Sequence, residues 1–556
     1  MSSGFETKYN EARKKMKKRV IVFLLATAII MGSLASGNTA KQVKADEPMI
    51  EEDIPVLRDS FDENFGGTTY AGVSLTNDEI DNPYIMALVT KHFNAVTLGN
   101  ELKPDAIFGY NNSKAPRLVT YDFNGEEFEA PKMDFSRADK MLDYFVDWNA
   151  NNPDKQIKIR GHVLVWHSQT PEWFFHENWD KKEPYVSKEE MTKRQEWYIK
   201  EVLEHCTTGK YEGMFYGFDV LNEAISDATG SYRTDEEAGG SLNDDTHGSK
   251  SSWWKVYQSN EYIINAFRFA NKYAPEDMEL YYNDYNECTP LKCAGIIKLM
   301  TDVKAAEGTR LDGFGMQGHY DALTPTGGQV KVAAVRYAEV VDSVSLTELD
   351  VKPSDGFLGS EEDMKKELSR QYWKYKEIYQ GLKELDEEGI TVRTVTVWGV
   401  IDGHSWLNSQ NNVGGSYNGQ SRVMPLLFND DYQAKPLFYA LCNEPMPAIE
   451  KYLPSYKKQA AAEAVEAEDA SETAGDGSET IETPDGAGDT AEITGDTSEP
   501  AGDDADVVAG NDADGEAGNN QVQEAGGNIL AWILIPVAVV AAVVAVLFVR
   551  KKKKKE

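Results

Sequence analysis

Two glutamates are candidates for acid and base chemistry, because each is predicted to end an apolar strand. Glu223 closes the segment DVLNE, and Glu348 lies in the segment TELD. Cleavage of a glycosidic bond needs one carboxyl group that protonates the leaving oxygen and a second that meets the oxocarbenium-like carbon. A single glutamate at a strand end is more often a helix cap or a solvated loop residue. Two of them on facing strands favour the catalytic interpretation.

Three polar residues are predicted to support these glutamates. Asn222 precedes Glu223 and could bond a sugar hydroxyl beside the reacting carbon, where contacts tighten in the transition state. His319 and Asp350 could form a chain that keeps the Glu348 carboxylate ionised and oriented. The like charges of the two glutamates would then raise the pKa of the other carboxyl. Taken alone, His319 is equally compatible with a structural histidine.

Aromatic residues near the predicted strand ends could offer flat faces to sugar rings. They are Trp166, Tyr285, Trp398 and Trp406. Because tryptophan is also a common core residue, we expect two of the three tryptophans, rather than all four rings, to serve this purpose.

Alternating short β-rich runs and longer helical patterns fill residues 46–456. Segments 135–150 and 187–206 repeat apolar residues at helical spacing, and Ser187 with Glu190 forms a predicted capping box. Strands are predicted to end near Val73, Thr97, Val165, Val220, Asn283, Gln317, Glu348 and Val400. Eight such units predict an α/β fold, a closed (β/α)8 TIM barrel; a doubly wound open sheet fits the same alternation less well.

A barrel of this kind should collect its functional groups at the carboxyl ends of its strands. Seven of the eight predicted strand ends carry polar or aromatic candidates. From strand two onward these are Asn100 and Lys103; His162, Trp166, His167 and Gln169; Asn222 and Glu223; Tyr285; Gln317 and His319; Glu348 and Asp350; Trp398 and Trp406.

Metal and cofactor chemistry receives no support from the sequence. His162 and His167 are five positions apart on a strand and therefore face opposite sides, and no H-E-x-x-H pattern occurs. No P-loop is present either, so we predict no metal and no cofactor. The four cysteines are too few for a disulfide scaffold, although Cys288 and Cys293 are close enough in sequence to bridge.

The net charge of −35 makes nucleic acid an unlikely partner. Twenty acidic residues and no Lys or Arg lie in residues 459–528, so the acidity is concentrated there. Such a segment, poor in aromatics, is typical of a disordered tether, and we assign residues 457–528 to it.

Both ends of the sequence carry targeting signals. Residues 1–45 place basic, apolar and small-residue regions in the order of a secretory signal peptide. Residues 529–549 are uncharged and are followed by a basic tail, residues 550–556, which predicts a C-terminal transmembrane helix with the preceding chain outside the cell. We therefore expect a secreted protein anchored to the cell membrane, with an extracellular catalytic domain over residues 46–456.

Over about residues 61–445 the sequence resembles glycoside hydrolase family 10, the endo-β-1,4-xylanases. The motifs that carry this resemblance occur in order, about one for each barrel unit. They are RGHVLVWHSQ (160–169), DVLNE (219–223), NDYN (283–286), DGFGMQGH (312–319), TELD (347–350), TVWGV (396–400), SW (405–406) and PLLF (425–428).

The resemblance implies a retaining endo-xylanase in which Glu223 is the acid/base and Glu348 the nucleophile. It also implies that Tyr285 lies on the leaving-group side of the cut. The residues implied around the sugars on the non-reducing side are Asn100, Lys103, His162, Trp166, Gln169, Asn222, Gln317, His319, Trp398 and Trp406. Xylan as substrate follows from the family, and Trp406 would crowd the hydroxymethyl group that glucose has and xylose lacks.

The sequence departs from the family pattern after the second strand. Many members have Glu-Asn-x-Met-Lys there, whereas this chain has Gly99 in place of the glutamate, and Glu101 is two positions further on. The polar loop 226–252 is either a solvated insertion or a wall of the leaving-group subsites. Two alternatives to the xylanase are a barrel glycosidase active on β-1,4-glucan and a non-catalytic surface receptor for polysaccharide.

Overall fold

The computed structural model describes residues 50–110, 115–237, 249–354, 360–409 and 423–453. The predicted signal peptide, the acidic tether and the predicted transmembrane helix lie outside these ranges. Within them, no helix is both long enough and apolar enough to cross a membrane.

A closed barrel of eight parallel strands forms the centre of the described chain. Its strands pair in the order β1, β2, β5, β7, β8, β9, β11 and β12, and β12 returns to β1. The short β6 extends the third barrel position and β10 the sixth, while β3 and β4 form an antiparallel hairpin. The strands are β1 Tyr70–Leu75, β2 Ala95–Leu98, β3 Leu118–Phe123, β4 Glu126–Pro131, β5 Lys158–Gly161, β6 Val165–Trp166, β7 Phe215–Asn222, β8 Glu279–Asp284, β9 Gly313–Met316, β10 His319–Asp321, β11 Ser343–Lys352 and β12 Thr391–Val397.

Helices alternate with these strands and cover the outside of the barrel. The predicted helices 135–150 and 187–206 are confirmed as α4 and α5, and the Ser187 hydroxyl accepts the backbone N–H of Glu190 at 3.2 Å. The helices are α1 Leu57–Phe65, α2 Pro83–His92, α3 Pro104–Ile107, α4 Ser136–Asn151, α5 Lys188–Thr207, α6 Ser252–Tyr257, α7 Glu261–Tyr273, α8 Pro290–Ala305, α9 Gly327–Ala338, α10 Glu361–Glu387 and α11 Pro436–Leu441.

Two predicted strand ends were wrong by several residues. Glu348 does not end its strand, because β11 continues to Lys352 and pairs there with β10. Val400 lies beyond β12, which ends at Val397. Both glutamates nevertheless lie in the carboxyl-terminal parts of their strands, as the barrel prediction requires.

A buried ion pair crosses the barrel interior from β5 to β7. Arg160 and Asp219 are almost fully buried, and the Arg160 Nε–H donates to Asp219 Oδ2 at 3.2 Å. His162 Nδ1 lies 2.9 Å from the same oxygen. The guanidinium stacks over the Tyr281 ring, 4.1 Å from its centroid. Because the Asp219 carboxylate contacts both Arg160 and His162, this ion pair fixes the position of His162 beneath the open end of the barrel.

The cysteines are not bridged. All four carry free thiols, and the Cys288 sulfur lies 3.8 Å from the Tyr320 hydroxyl. Burial raises the pKa of the Cys206 and Cys442 thiols, so both stay protonated at neutral pH.

Candidate active site

A cleft of about 650 Å³ opens at the carboxyl ends of the barrel strands. It is lined by thirteen of the fifteen candidates that the sequence placed at strand ends. These are Asn100, Lys103, His162, Trp166, Gln169, Asn222, Glu223, Tyr285, Gln317, His319, Glu348, Trp398 and Trp406. The fourteenth, Asp350, is buried and contacts two of them, His319 and Trp406. The structure therefore brings fourteen of the fifteen together, whereas the fifteenth, His167, does not line the cleft.

Glu348 is a buried carboxylate surrounded by groups that favour its charge. His319 Nε2 lies 3.3 Å from its Oε2, and the Asn283 amide donates to its Oε1 at 2.7 Å. Burial by itself would raise the pKa of Glu348. The His319 contact and the positive charges of His162 and Lys103 outweigh burial and lower that pKa to about 2. Glu348 is therefore ionised at any ordinary pH.

His319 is held against Glu348 by a second carboxylate, as the sequence predicted. Its Nδ1 lies 3.0 Å from Asp350 Oδ1. Burial opposes a charge on the ring, but Asp350 and Glu348 together raise the pKa of His319 well above its ordinary value. The imidazolium thus lies between two carboxylates.

The pKa of Glu223 is shifted in the opposite direction, upwards. Burial and the negative charges of Asp284 and Glu348 raise the pKa of Glu223, although the Gln317 amide donates to its Oε1 at 3.0 Å and acts in the other direction. Arg233 also opposes the rise and donates to the backbone carbonyl of Glu223 at 2.9 Å. The two glutamates of one cleft therefore have pKa values shifted in opposite directions.

Side-chain amides connect the two carboxylates. Asn222 donates to Glu223 Oε1 at 3.1 Å, and its own oxygen accepts from Asn283 at 2.9 Å and from Gln317 at 3.2 Å. The Asn283 oxygen accepts the Thr347 hydroxyl, so its amide nitrogen must point towards Asn222 and Glu348. Gly315 is required beside this network, because a Cβ there would lie 2.2 Å from the Asn283 oxygen.

The three tryptophans hold distinct positions in the cleft. The Trp166 N–H donates to Glu223 Oε2 at 3.0 Å, and Lys103 Nζ lies 5.2 Å from the centre of its ring. The Trp406 N–H donates to Asp350 Oδ2 at 2.9 Å, which leaves its ring beside His319 and 38% exposed. Trp398 packs edge to face on His162, with ring centroids 5.5 Å apart. Trp166 is thus a hydrogen-bond donor as well as an aromatic surface.

Tyr285 lies beside the loop that begins at residue 226. Its hydroxyl donates to the Asp227 carboxylate, and Lys292 Nζ lies 4.0 Å from the centre of its ring. Lys292 also pairs with Asp227 at 2.9 Å and with Asp284 at 3.0 Å. The described part of this loop therefore contacts the cleft, which favours the interpretation of the loop as a wall.

The sequence prediction missed residues whose side chains also line the cleft, among them Thr76, Glu79 and His404. The Thr76 and Glu79 side chains follow β1, and His404 follows β12. The sequence did contain a hint, because the end of the first predicted strand was the one strand end to which no functional group had been assigned. Glu101 does not take part: its carboxylate accepts the backbone N–H groups of Asn77 at 2.9 Å and Asn100 at 3.2 Å.

In the described part of the chain, no three His, Cys, Asp or Glu residues are grouped so that they could hold a metal ion.

The chain is similar to proteins of known class. The sequence profile of Glycosyl hydrolase family 10 matches residues 57–444. Endo-1,4-beta-xylanase Y of Acetivibrio thermocellus is 32% identical over 393 residues, which are 70% of this chain and 32% of that protein. The endo-1,4-beta-xylanase of Geobacillus stearothermophilus is 28% identical over 399 residues, 70% of this chain and 98% of that protein.

The chain spans about a third of the length of several xylanase relatives, 32 to 34% for those of Acetivibrio and two Thermotoga species. A solved structure with a similar fold is that of the endo-1,4-beta-D-xylanase 10B modules of Clostridium thermocellum complexed with xylohexaose. The comparison of the two structures gives a TM-score of 0.56 at 31% sequence identity. The aligned region covers 70% of this chain and 68% of the other.

Replacement of His319 should change the protonation of Glu348 specifically. In His319→Gln the cation beside Glu348 is lost while burial remains, so the pKa of Glu348 should rise from about 2 towards the ordinary glutamate range. Titration of the Glu348 carboxyl carbon by NMR, with Glu348→Gln to identify the signal, measures this. His205→Gln, which removes a histidine paired with Asp139 outside the cleft, is the control. An unchanged midpoint in His319→Gln would contradict the assigned role.

Proposed function

The chain belongs to glycosyl hydrolase family 10, and from this premise we propose that it hydrolyses internal β-1,4-xylosidic bonds of xylan with retention of configuration. The observation that carries the proposal is the pair of buried glutamates with opposite pKa shifts in one cleft. Relatives named as xylanases and a similar structure complexed with xylohexaose support xylan as the substrate.

In the first step Glu223 acts as acid and Glu348 as nucleophile. Glu348 attacks the anomeric carbon, and the electrons of the breaking glycosidic bond move to the leaving oxygen, which takes the proton of Glu223. The raised pKa of Glu223 keeps that proton available, and the lowered pKa of Glu348 keeps the attacking oxygen charged. The product is a glycosyl ester of Glu348.

In the second step Glu223 acts as base. It removes a proton from water, the water oxygen attacks the anomeric carbon, and Glu348 leaves as a carboxylate. Because the charge of Glu348 is one cause of the raised pKa of Glu223, formation of the ester removes that charge and lowers the pKa. The same residue is thereby suited to both roles, and two inversions give overall retention.

The preference for xylose rests on Trp406. Its ring is anchored through the N–H to Asp350 and packs beside His319, which itself contacts the nucleophile. A ring held against the histidine that contacts Glu348 should crowd the hydroxymethyl group of a glucose unit. We therefore propose xylan rather than glucan.

A purely binding role fits the cleft less well. A receptor requires neither a charge at Glu348 nor a proton at Glu223. Holding a charged carboxylate at 5% exposure costs free energy, which His319, His162, Asn283 and Lys103 offset here.

Hydrolysis of xylan by the purified protein tests the proposal. We expect release of short xylo-oligosaccharides whose new reducing ends are first β-configured by NMR. Glu223→Ala should lower kcat by about 100- to 10,000-fold, because general acid catalysis contributes that much. Glu348→Ala should abolish turnover. Glu287→Gln is the matched control, since Glu287 is also buried, with a pKa raised to about 6, and does not line the cleft.

The outcomes separate the alternatives. Cleavage of β-1,4-glucan in preference to xylan would overturn the substrate and leave the mechanism standing. A folded protein that binds xylan without cleaving it would favour the receptor.

We also propose that the enzyme is held on the outer surface of the cell membrane. The sequence supports this through the secretory signal of residues 1–45, the uncharged stretch 529–549 and the basic residues that follow. The acidic tether would keep the barrel away from the membrane and within reach of polymeric xylan.

Deletion of residues 529–556 tests the anchor. We expect xylanase activity to move from the washed membrane fraction to the medium, because the uncharged segment is the only part proposed to enter the bilayer. Activity that stays with the membranes after the deletion, or that remains in the cytosol of the full-length strain, would contradict the proposal.

A further inference from the structure

We propose that Arg233 is a positioning residue for Glu223: it holds the backbone of the acid/base glutamate and supplies a positive charge that stabilises the Glu223 carboxylate after proton transfer. Arg233 lies in the loop that follows β7, and its side chain does not line the cleft. The inference deepens the proposed function and rests on it.

The backbone of Glu223 has a left-handed conformation that a glutamate rarely adopts. Its φ is +55°, one residue after β7 ends at Asn222. Residues other than glycine keep such a conformation only where their surroundings hold it. Here both backbone groups are bonded: the Glu223 N–H donates to the Asn283 carbonyl at 2.9 Å, and its carbonyl accepts the Arg233 Nε–H at 2.9 Å. Loss of Arg233 would therefore release one side of the acid/base residue.

A narrow hairpin carries Arg233 back to Glu223. Ile225 and Tyr232 form an antiparallel bridge, which returns the chain to the end of β7. The Arg233 side chain is buried there, and its Nη1 donates to the Ser249 carbonyl at 3.0 Å. One guanidinium thus connects the acid/base residue to the far end of the loop.

The Arg233 guanidinium is a buried charge that contacts neutral groups. Within the described ranges its hydrogen bonds go to three backbone carbonyls and to the Tyr285 hydroxyl, the last at 3.4 Å, and none goes to a carboxylate. Burial of a cation without a carboxylate in contact costs free energy, and neutral donors could bind the same carbonyls. The charge itself therefore points to a function.

That charge acts on the Glu223 carboxyl. Burial and the negative charges of Asp284 and Glu348 raise the pKa of Glu223, whereas the Arg233 charge acts in the opposite direction. The charged and titratable groups of the described chain that act electrostatically on Glu223 are Lys103, Arg233, Asp284, Tyr285 and Glu348. Arg233 therefore favours the ionised form of the acid/base residue.

The ionised form is the one that Glu223 takes during the reaction. When the glycosidic bond breaks, Glu223 gives its proton to the leaving oxygen and becomes negative. Arg233 stabilises that carboxylate. Because the charge of Glu348 is lost in the glycosyl ester, Glu348 no longer opposes Arg233 while Glu223 acts as base.

Two aryl xylobiosides that differ in their leaving group test the role. Dinitrophenolate leaves without a proton, whereas phenolate needs the proton of Glu223. In Arg233→Gln we expect kcat/KM for phenyl β-xylobioside to fall about 10-fold more than kcat/KM for the dinitrophenyl compound, since only the first depends on the acid. The later role of Glu223 as base does not enter, because kcat/KM reports the step that forms the ester.

The pH dependence separates the charge of Arg233 from its hydrogen bonds. The basic limb of kcat/KM against pH follows the loss of the Glu223 proton in the free enzyme. Removal of a positive charge makes that proton harder to lose, so the limb should move to higher pH in Arg233→Gln. Arg233→Lys keeps the charge without the planar fork. Its limb should stay at the wild-type pH, and its kcat/KM for the phenyl compound should lie between those of the wild type and Arg233→Gln.

Arg194→Gln is the matched control. Arg194 is also buried, and it donates to two backbone carbonyls, those of Phe174 at 2.9 Å and His176 at 2.8 Å, without lining the cleft. We expect its basic limb and its ratio of the two substrates to match those of the wild type.

The outcomes distinguish this inference from the proposed function. Equal losses on both aryl substrates in Arg233→Gln, or a basic limb that does not move upwards, would show that Arg233 only stabilises the loop and would overturn the inference. If Arg233→Gln does not fold, Arg233→Lys decides: a larger loss on the phenyl compound supports the inference, and equal losses contradict it. A wild type that cleaves neither aryl xylobioside nor xylan would disprove the proposed function itself.

Discussion

The site depends on shifting the pKa values of two buried carboxyl groups in opposite directions within one cleft, down for Glu348 and up for Glu223. Burial by itself raises the pKa of both Glu223 and Glu348 and so favours the uncharged form of each. The pKa values of the two glutamates differ because different charged and polar groups surround each carboxyl group. Glu348 has the His319 cation, an amide donor and nearby positive charge, whereas Glu223 has the negative charges of Asp284 and Glu348.

The barrel supplies these surroundings from many strands. Arg160 and Asp219 fix His162 from below, and Asp350 fixes His319 from β11 itself. The amides of Asn222 and Asn283 link the two carboxylates, on β7 and β8. A closed sheet is suited to this arrangement, because each residue is held by a strand that is paired on both sides.

Much of the fold and the site could be predicted from the sequence, because strand ends and carboxylates are local signals. The eight-stranded barrel, Glu223, Glu348 and the link from His319 to Asp350 followed from such patterns. The pair of Glu79 and His404 did not, since 325 positions separate them and only the closure of β12 onto β1 joins them. The Trp166 hydrogen bond to Glu223 was also missed, because a sequence indicates a ring but not the direction of its N–H.

Covalent trapping tests the central claim most directly. A 2-deoxy-2-fluoro xylobioside with a good leaving group should form the glycosyl ester rapidly and release it slowly, because the fluorine destabilises the positive charge that develops in both steps. Peptide mass spectrometry should then find the sugar on Glu348, with Glu223 unmodified. An adduct on Glu223, or turnover of the wild type with no adduct at all, would contradict the assignment of a charged nucleophile and a protonated acid.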